Sequence, residues 1–230
     1  MAKKFKEITP RDITTTRTLL HEALPLTGTI VSGTYADGNI KNFSHGIFQS
    51  VYDYPYLSSS ANHIFDLAVG YSAKSNLSGA SSAQNSKKIN IYNQMAQVLV
   101  GHDVTGSILE FDQSGDLTDG GTKMREVVFV NFSRLLTKDE IKKGSFNFTV
   151  ITGGVPNDFS SKGAGDHSKT LQEVNATTTY KSNSPAGEYG ILYSEAAGTN
   201  KVGLLYYQAG IAVLTASVLR DATYVAAAQT

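Results

Sequence analysis

The chain of 230 residues contains no cysteine. That absence removes disulfide bonds, thiolate nucleophiles and Cys-ligated zinc together. Charge is scarce as well. Only 17% of residues are Asp, Glu, Lys or Arg, and twenty basic groups balance twenty acidic ones to a formal net charge of zero. No basic stripe stands out, so nucleic acid is not an expected partner. Long apolar runs are missing too. No stretch approaches the roughly 18 residues that a membrane span needs, so no membrane partner is expected. The start, Met1 to Lys6, is basic but leads into no apolar core, and does not read as a secretory signal. The chain is expected to be made in a cytoplasm, where the sequons at Asn76, Asn131, Asn147 and Asn175 carry no meaning.

Ser, Thr, Asn and Gly take the place of the missing charge, with 12 Tyr and 10 Phe among them. β-Branched and aromatic side chains suit a pleated, half-buried surface, and polar residues suit the turns between strands. A weakly charged, Tyr-rich surface also suits contact with other subunits, because interfaces are depleted in Lys, Glu and Asp and enriched in aromatics. Composition therefore points to a mostly β protein that works inside an assembly, with an ordinary soluble domain as the alternative.

Along the chain, residues 1–60 differ from the rest. Thr9 and Pro10 form a helix start that Ile13 to Leu24 continues, against four threonines, until Pro25 stops it. From Gly28 to Ser60 the pattern is an irregular arm with one or two short strands. The division expected is an N-terminal arm over 1–60 and a mostly β core domain over 61–230. In that core, Ile64, Phe65, Leu67, Ala68 and Tyr71 fit a short helix or a strand equally well. Ser86 is placed to cap a helix carrying Ile89, Tyr92, Ala96 and Leu99 at helical spacing, with Gly101 ending it.

Strands dominate after Ser107. Val127 to Phe132 is apolar enough to be buried on both faces. Phe146, Phe148 and Val150 alternate with Ser145, Asn147 and Thr149 as a half-buried strand. Between them, Thr137 to Glu140 reads as a capping box opening a helical turn that Gly144 closes. Leu171–Tyr180, Tyr189–Tyr193, Val202–Tyr207 and Ile211–Leu219 read as further strands, the last two joined at Gln208-Ala209-Gly210. Gly153 to Thr170 reads as a long polar loop, and such loops are usually functional or mobile. The fold expected is mostly β (α+β), an antiparallel, sandwich-like core with one or two packed helices and an extended N-terminal arm.

Motifs with chemistry are weak. Gly163 to Thr170 imitates a phosphate-binding loop, but Ser168 stands where its second glycine belongs and a strand-like segment follows. Asp112, Asp116, Asp119, Gly120 and Gly121 offer oxygen ligands for Ca²⁺, yet Leu117 occupies the invariant glycine position of an EF-hand and no glutamate closes the loop. A solvated hairpin turn fits better. The histidines, His21, His45, His63, His102 and His167, never approach metal-ligand spacing. Consecutive Asp166-His167-Ser168 cannot build a hydrolytic triad, whose members converge from separate elements. No catalytic residue, cofactor or metal is expected, and the chain is expected not to be an enzyme. The candidate interface is the aromatic stretch of Phe43, Phe48, Tyr52, Tyr54 and Tyr56, suited to stacking on sugar rings or burying against another subunit. Packing of one aromatic face onto its own domain is the equal alternative.

The order of several segments carries a resemblance. Phe65-Asp66-Leu67 with Gly70-Tyr71 precedes Tyr92-Asn93-Gln94. Asn131-Phe132 with Arg134 follows, then Lys143-Gly144 with Phe146, and finally Gly203, Tyr206-Tyr207, Gly210-Ile211 and Val213-Leu214. This pattern resembles a family of virion structural proteins of T4-like marine and other large contractile-tailed phages. It covers about residues 60–155 and 187–220 and leaves the arm unmatched. The resemblance implies a multi-copy, non-enzymatic subunit in a symmetric virion assembly, most simply in the tail or baseplate, whose partners are other phage structural proteins. Alternatives within the particle are a neck or head decoration protein, or a receptor- or carbohydrate-binding tail module. The N-terminal arm and the Gly153–Thr170 loop are the expected contact segments, with exposed sheet edges open to strand addition.

Overall fold

The computed structural model describes residues 39–43, 48–53, 62–79, 83–117, 120–152, 167–194 and 196–220. The expected helix after Thr9 lies outside the described residues. Strands β1 (Ile40–Asn42), β2 (Phe48–Tyr52), β3 (His63–Tyr71) and β4 (Glu126–Phe132) come from the first part of the chain. The second part adds β5 (Asn147–Thr152), β6 (His167–Glu173), β7 (Lys181–Ser184), β8 (Gly187–Tyr193), β9 (Lys201–Tyr206) and β10 (Ile211–Thr215). All pair antiparallel in one sheet of order β1-β2-β3-β4-β10-β9-β8-β6-β5, with β7 on the side of β8. The protein is mostly β, as its composition indicates. Two strands of the expected arm, β1 and β2, join the same sheet as the core.

A sheet this wide twists and curls rather than staying flat. Phe65 on β3 and Phe148 on β5 stand third and ninth in the order, yet their ring centroids lie 6.0 Å apart. The sheet therefore rolls over its own inner face, and the sandwich-like core is enclosed by a single curled sheet. Phe132 and Phe146 fill the interior beside them, at 5.7 Å, with Leu171, Leu205 and Leu214.

β4 shows how the sequence produces this. Val130 and Phe132 enter the inner core, while Val127 and Phe129 enter a second core on the opposite face. Period-2 alternation in an all-apolar strand feeds both faces at once. The outer core is closed by helix α1 (Ala83–Leu99), which buries Tyr92, Ala96 and Leu99. It sits directly on β3, because a Cβ at Gly70 would lie 3.0 Å from the Tyr92 backbone nitrogen and 3.2 Å from the Lys88 carbonyl oxygen. Gly101, at φ +93°, ends the helix with its N–H on the Ala96 carbonyl.

Several boundaries differ from expectation. Ile64–Tyr71 is strand throughout, with Asp66, Ala68 and Gly70 opposite Phe65 and Leu67. Ser86 lies inside α1, which starts at Ala83. The helical turn near Thr137 is α2 (Arg134–Thr137), so Thr137 ends the turn instead of capping it. The chain reverses as soon as β4 ends, and the Ser133 carbonyl accepts from the N–H groups of Leu136 and Thr137. Leu171–Tyr180 is not one strand. β6 stops at Glu173, and α3 (Ala176–Thr179) follows, its Thr178 and Thr179 hydroxyls donating to the Asn175 carbonyl. That local hydrogen bonding outcompetes the β propensity of the three threonines. β10 likewise ends at Thr215 in a 3₁₀ turn over Ala216–Arg220.

Candidate functional site

The candidate aromatic stretch divides. Phe43 and Phe48 close one end of the β1–β2 hairpin, their ring centroids 4.3 Å apart with the Lys41 ammonium 5.2 Å from the Phe43 ring. Tyr52 ends β2 and packs on His63, 5.5 Å between centroids. Tyr52 lies four steps along β2 from Phe48, about 13 Å, so the two pairs are distinct. All three rings are half-buried. Tyr54 and Tyr56 lie outside the described residues.

Beside Tyr52 the fold assembles a trio that motif reading misses. Ser50 Oγ donates to Asp66 Oδ1 at 2.6 Å, and His63 Nε2 lies 2.8 Å from the same oxygen. The residue types are those of a hydrolytic triad, but the wiring is not. Catalysis needs histidine between serine and carboxylate, taking the hydroxyl proton. Here Asp66 stands in the middle and the serine proton already points at it. The trio ties β2 to β3 where their register shifts, between Val51 and Tyr52. A carboxylate within the apolar run Ile64 to Val69 was the available signal for it.

The Asp112–Gly121 turn carries its own cation. Asp112 is fully buried at the base of the turn, whereas Asp116, Gly120 and Gly121 are exposed, as in the solvated turn expected. Its Oδ1 accepts from Ser114 N, Ser114 Oγ and Asp116 N. Lys123 Nζ lies 3.6 Å from Oδ2 and donates to the Asp116 carbonyl at 3.0 Å. The ammonium thus offsets part of the buried Asp112 charge. Gly121, at φ +66°, is required here, because a Cβ would fall 2.3 Å from Oδ2. Asp119 lies outside the described residues, and no group of three His, Asp or Glu able to hold a metal occurs among those described.

The phosphate-loop imitation also dissolves. Lys169 and Thr170 lie within strand β6, which continues to Glu173, so no helix opens at them to aim N–H groups at a phosphate. Gly163 to Asp166 lie outside the described residues. Of the expected Gly153–Thr170 loop, His167 to Thr170 belong to β6, and residues 153–166 lie outside the described residues.

That pairing creates the most unusual surface of the molecule. β5 and β6 pair over six positions, Asn147↔Gln172 to Thr152↔His167. β6 pairs with β8 at only two, Gln172↔Tyr193 and Glu173↔Leu192. From Phe148 and Leu171 outward, β5 and β6 form a two-stranded ribbon beyond the sheet. Among the described residues, no strand pairs with the other side of β5. Such an edge is ordinarily guarded by charge, proline or a bulge. β5 reads Asn-Phe-Thr-Val-Ile-Thr and has neither charge nor proline, and its pairing with β6 runs without a register shift. The other edge strands are short and charged: β1 has three residues with exposed Lys41, and β7 has four with exposed Lys181.

The ribbon's root is anchored. Glu173 Oε2 accepts from the Gly144 N–H at 2.8 Å, and Tyr207 Oη donates to Oε1. Burial holds the Glu173 carboxyl above its ordinary value, partly offset by the Tyr207 hydrogen bond. Lys143 pairs with Glu188 at 2.7 Å and lies over the rings of Tyr180 and Tyr207. Gly190 leaves room for this clamp, since a Cβ there would meet Tyr207 Oη and Glu173 Oε1 at 2.2 and 2.6 Å.

Comparison with protein-family profiles, curated proteins and solved structures found no match.

Proposed function

We propose that this chain is a non-enzymatic structural subunit of a tailed phage virion, most simply of the tail or baseplate, acting through protein–protein contacts. The observation that carries the assembly role is the β5–β6 ribbon, anchored at its root and open along an uncharged edge. An isolated two-stranded hairpin is marginal in water, and a third strand stabilises it. The ribbon is thus suited to completion by a neighbouring subunit. Net neutrality supports the same role, because copies gathered in one particle do not repel one another.

The phage assignment rests on the resemblance. Its segments fall on the elements that build the two cores. Phe65 to Tyr71 lies in β3, Tyr92 and Gln94 lie on α1, Asn131 and Phe132 end β4, and Tyr206 to Leu214 spans the β9–β10 turn. They also bind one another: Arg134 Nη1 donates to the Gln208 carbonyl at 2.7 Å, and Phe132 N–H to that of Gly210 at 2.9 Å. The shared pattern is one of packing, consistent with a structural role.

The test is peptide mass spectrometry on purified particles of the encoding phage, split into head and tail fractions. Enrichment with tails is the expected result. Enrichment with heads moves the subunit to capsid, neck or decoration, and absence from both overturns the virion role.

A further inference from the structure

We propose that the free edge of β5 pairs antiparallel with β5 of a second copy, about a two-fold axis through Thr149, so that two ribbons become one four-stranded sheet. The proposal deepens the assembly role above and rests on it. Three observations select a second copy as the occupant. First, each copy brings the same deficit, a ribbon of two strands where three or more are needed for independent stability. Joining two ribbons removes both deficits at once. Second, an isologous contact sets every group against its own counterpart or a near neighbour, so a charged edge would repel itself. β5 carries no charge, whereas β1 presents Lys41. Third, the side-chain pattern complements itself.

The third observation fixes the register. Residues directly opposite in an antiparallel pair share a face, and a slip by one residue sends every side chain to the wrong side. Phe148 and Val150 pack against the inner core and are only half-buried, whereas Asn147 and Thr149 are exposed on the other face. Two-fold pairing that keeps the faces aligned must therefore centre on a residue, not between two. Centring on Thr149 sets Phe148 opposite Val150 of the second copy, twice, extending the inner apolar face across the axis. Centring on Val150 would instead set Phe148 opposite Thr152, a poorer cross-strand pair. Thr149 already bonds sideways to Thr170, Oγ1 to Oγ1 at 3.0 Å, which holds its side chain on the outer face.

The contact of two short strands buries less than the roughly 1,200 Å² of a stable complex. The dimer is accordingly weak in dilute solution and strengthens with concentration.

Because the chain has no cysteine, one introduced thiol reports the geometry without background. Thr149→Cys places two thiols opposite one another at a spacing that a disulfide spans, so mild oxidation should give a covalent dimer at least about tenfold faster than an exposed helix control, Gln97→Cys. Thr149→Lys sets two ammonium groups on the axis and should lower the dimer fraction seen by sedimentation at high concentration. Thermal unfolding of each variant establishes that it is folded. Equal cross-linking of the two cysteine variants, or a monomer at every concentration, overturns the pairing. So does a dimer that Thr149→Lys leaves intact, since the strands of another edge then hold it. A chain that stays monomeric yet is enriched with tails overturns the two-fold pairing and leaves the tail assignment standing.

Discussion

Single tyrosine hydroxyls do much of the internal bonding. Tyr92 Oη donates to the Met124 carbonyl at 2.9 Å and accepts from the Phe111 N–H at 3.2 Å, deep in the outer core. Tyr92→Phe keeps the ring but leaves two buried backbone groups unpaired, so about 2–4 kcal/mol of stability should be lost, read as a shift in the urea midpoint. Burial raises the hydroxyl pKa of Tyr92, Tyr206 and Tyr207, and that of Tyr189 is pushed up to about 12. The sign follows from linkage. A group whose native pKa is raised contributes its stability fully below the unfolded value near 10 and loses it as pH rises through the native value. Tyrosinate absorbance from these four rings should therefore rise only with unfolding on alkaline titration, together with loss of the far-ultraviolet strand signal. A smooth single titration would show that these hydroxyls reach solvent without unfolding. Glu173 follows the same rule in acid. Its raised carboxyl pKa means that its contribution is complete below about 4.5 and declines as pH rises through the native value. Glu173→Gln should flatten that segment of the stability profile, measured by thermal unfolding from pH 4 to 7. A parallel profile in the variant would place the dependence on another group.

At the scale of elements, close approach depends on absent side chains. Helix α1 reaches β3 only through Gly70, where a side chain would meet the Tyr92 backbone and the Phe129 ring, both at 3.0 Å. Gly70→Val should lift the helix and cost about 3 kcal/mol, with a loss of near-ultraviolet aromatic signal. Gly79→Ala, with nothing within 4 Å of the new methyl, should stay within about 0.5 kcal/mol. The same contact explains what could be read in advance. Alternation exposed β4 and β5, and helical spacing exposed α1, because both periods follow directly from backbone geometry. The segment Ile64 to Tyr71 stayed ambiguous because its Gly70 lies under a helix, a fact of tertiary packing. Thr137 and Thr177–Thr179 were misassigned because a carbonyl left free by the preceding turn, at Ser133 or Asn175, set the local geometry against propensity. The Ser50–Asp66–His63 trio was hidden because its members meet only through strand register. Phe43, Phe48 and Tyr52 were visible as residues, but their split into two pairs needed the hairpin.

For the molecule as a whole, stability must be uneven. Both faces of β4, β9 and β10 are covered, since their residues enter both cores. Among the described residues the ribbon has a sheet neighbour only at its root, through Gln172 and Glu173. Local opening free energies track this difference in packing and backbone bonding. In the dilute chain, amides of Thr149 to Thr152 and of Ser168 to Thr170 should exchange with solvent orders of magnitude faster than those of β10. Raising the concentration into the dimeric range should slow exchange along β5, the strand that gains hydrogen-bonding partners, more than along β6. The particle should slow it further, whichever neighbour covers the ribbon there. Slow exchange along β5 in the dilute monomer would mean that the edge is already covered within one chain. An edge covered in that way cannot recruit a neighbour, and the assembly role would then have to pass to another surface. The exchange rate of one strand therefore links the curled fold, its least protected element and the proposed place of the chain in a particle.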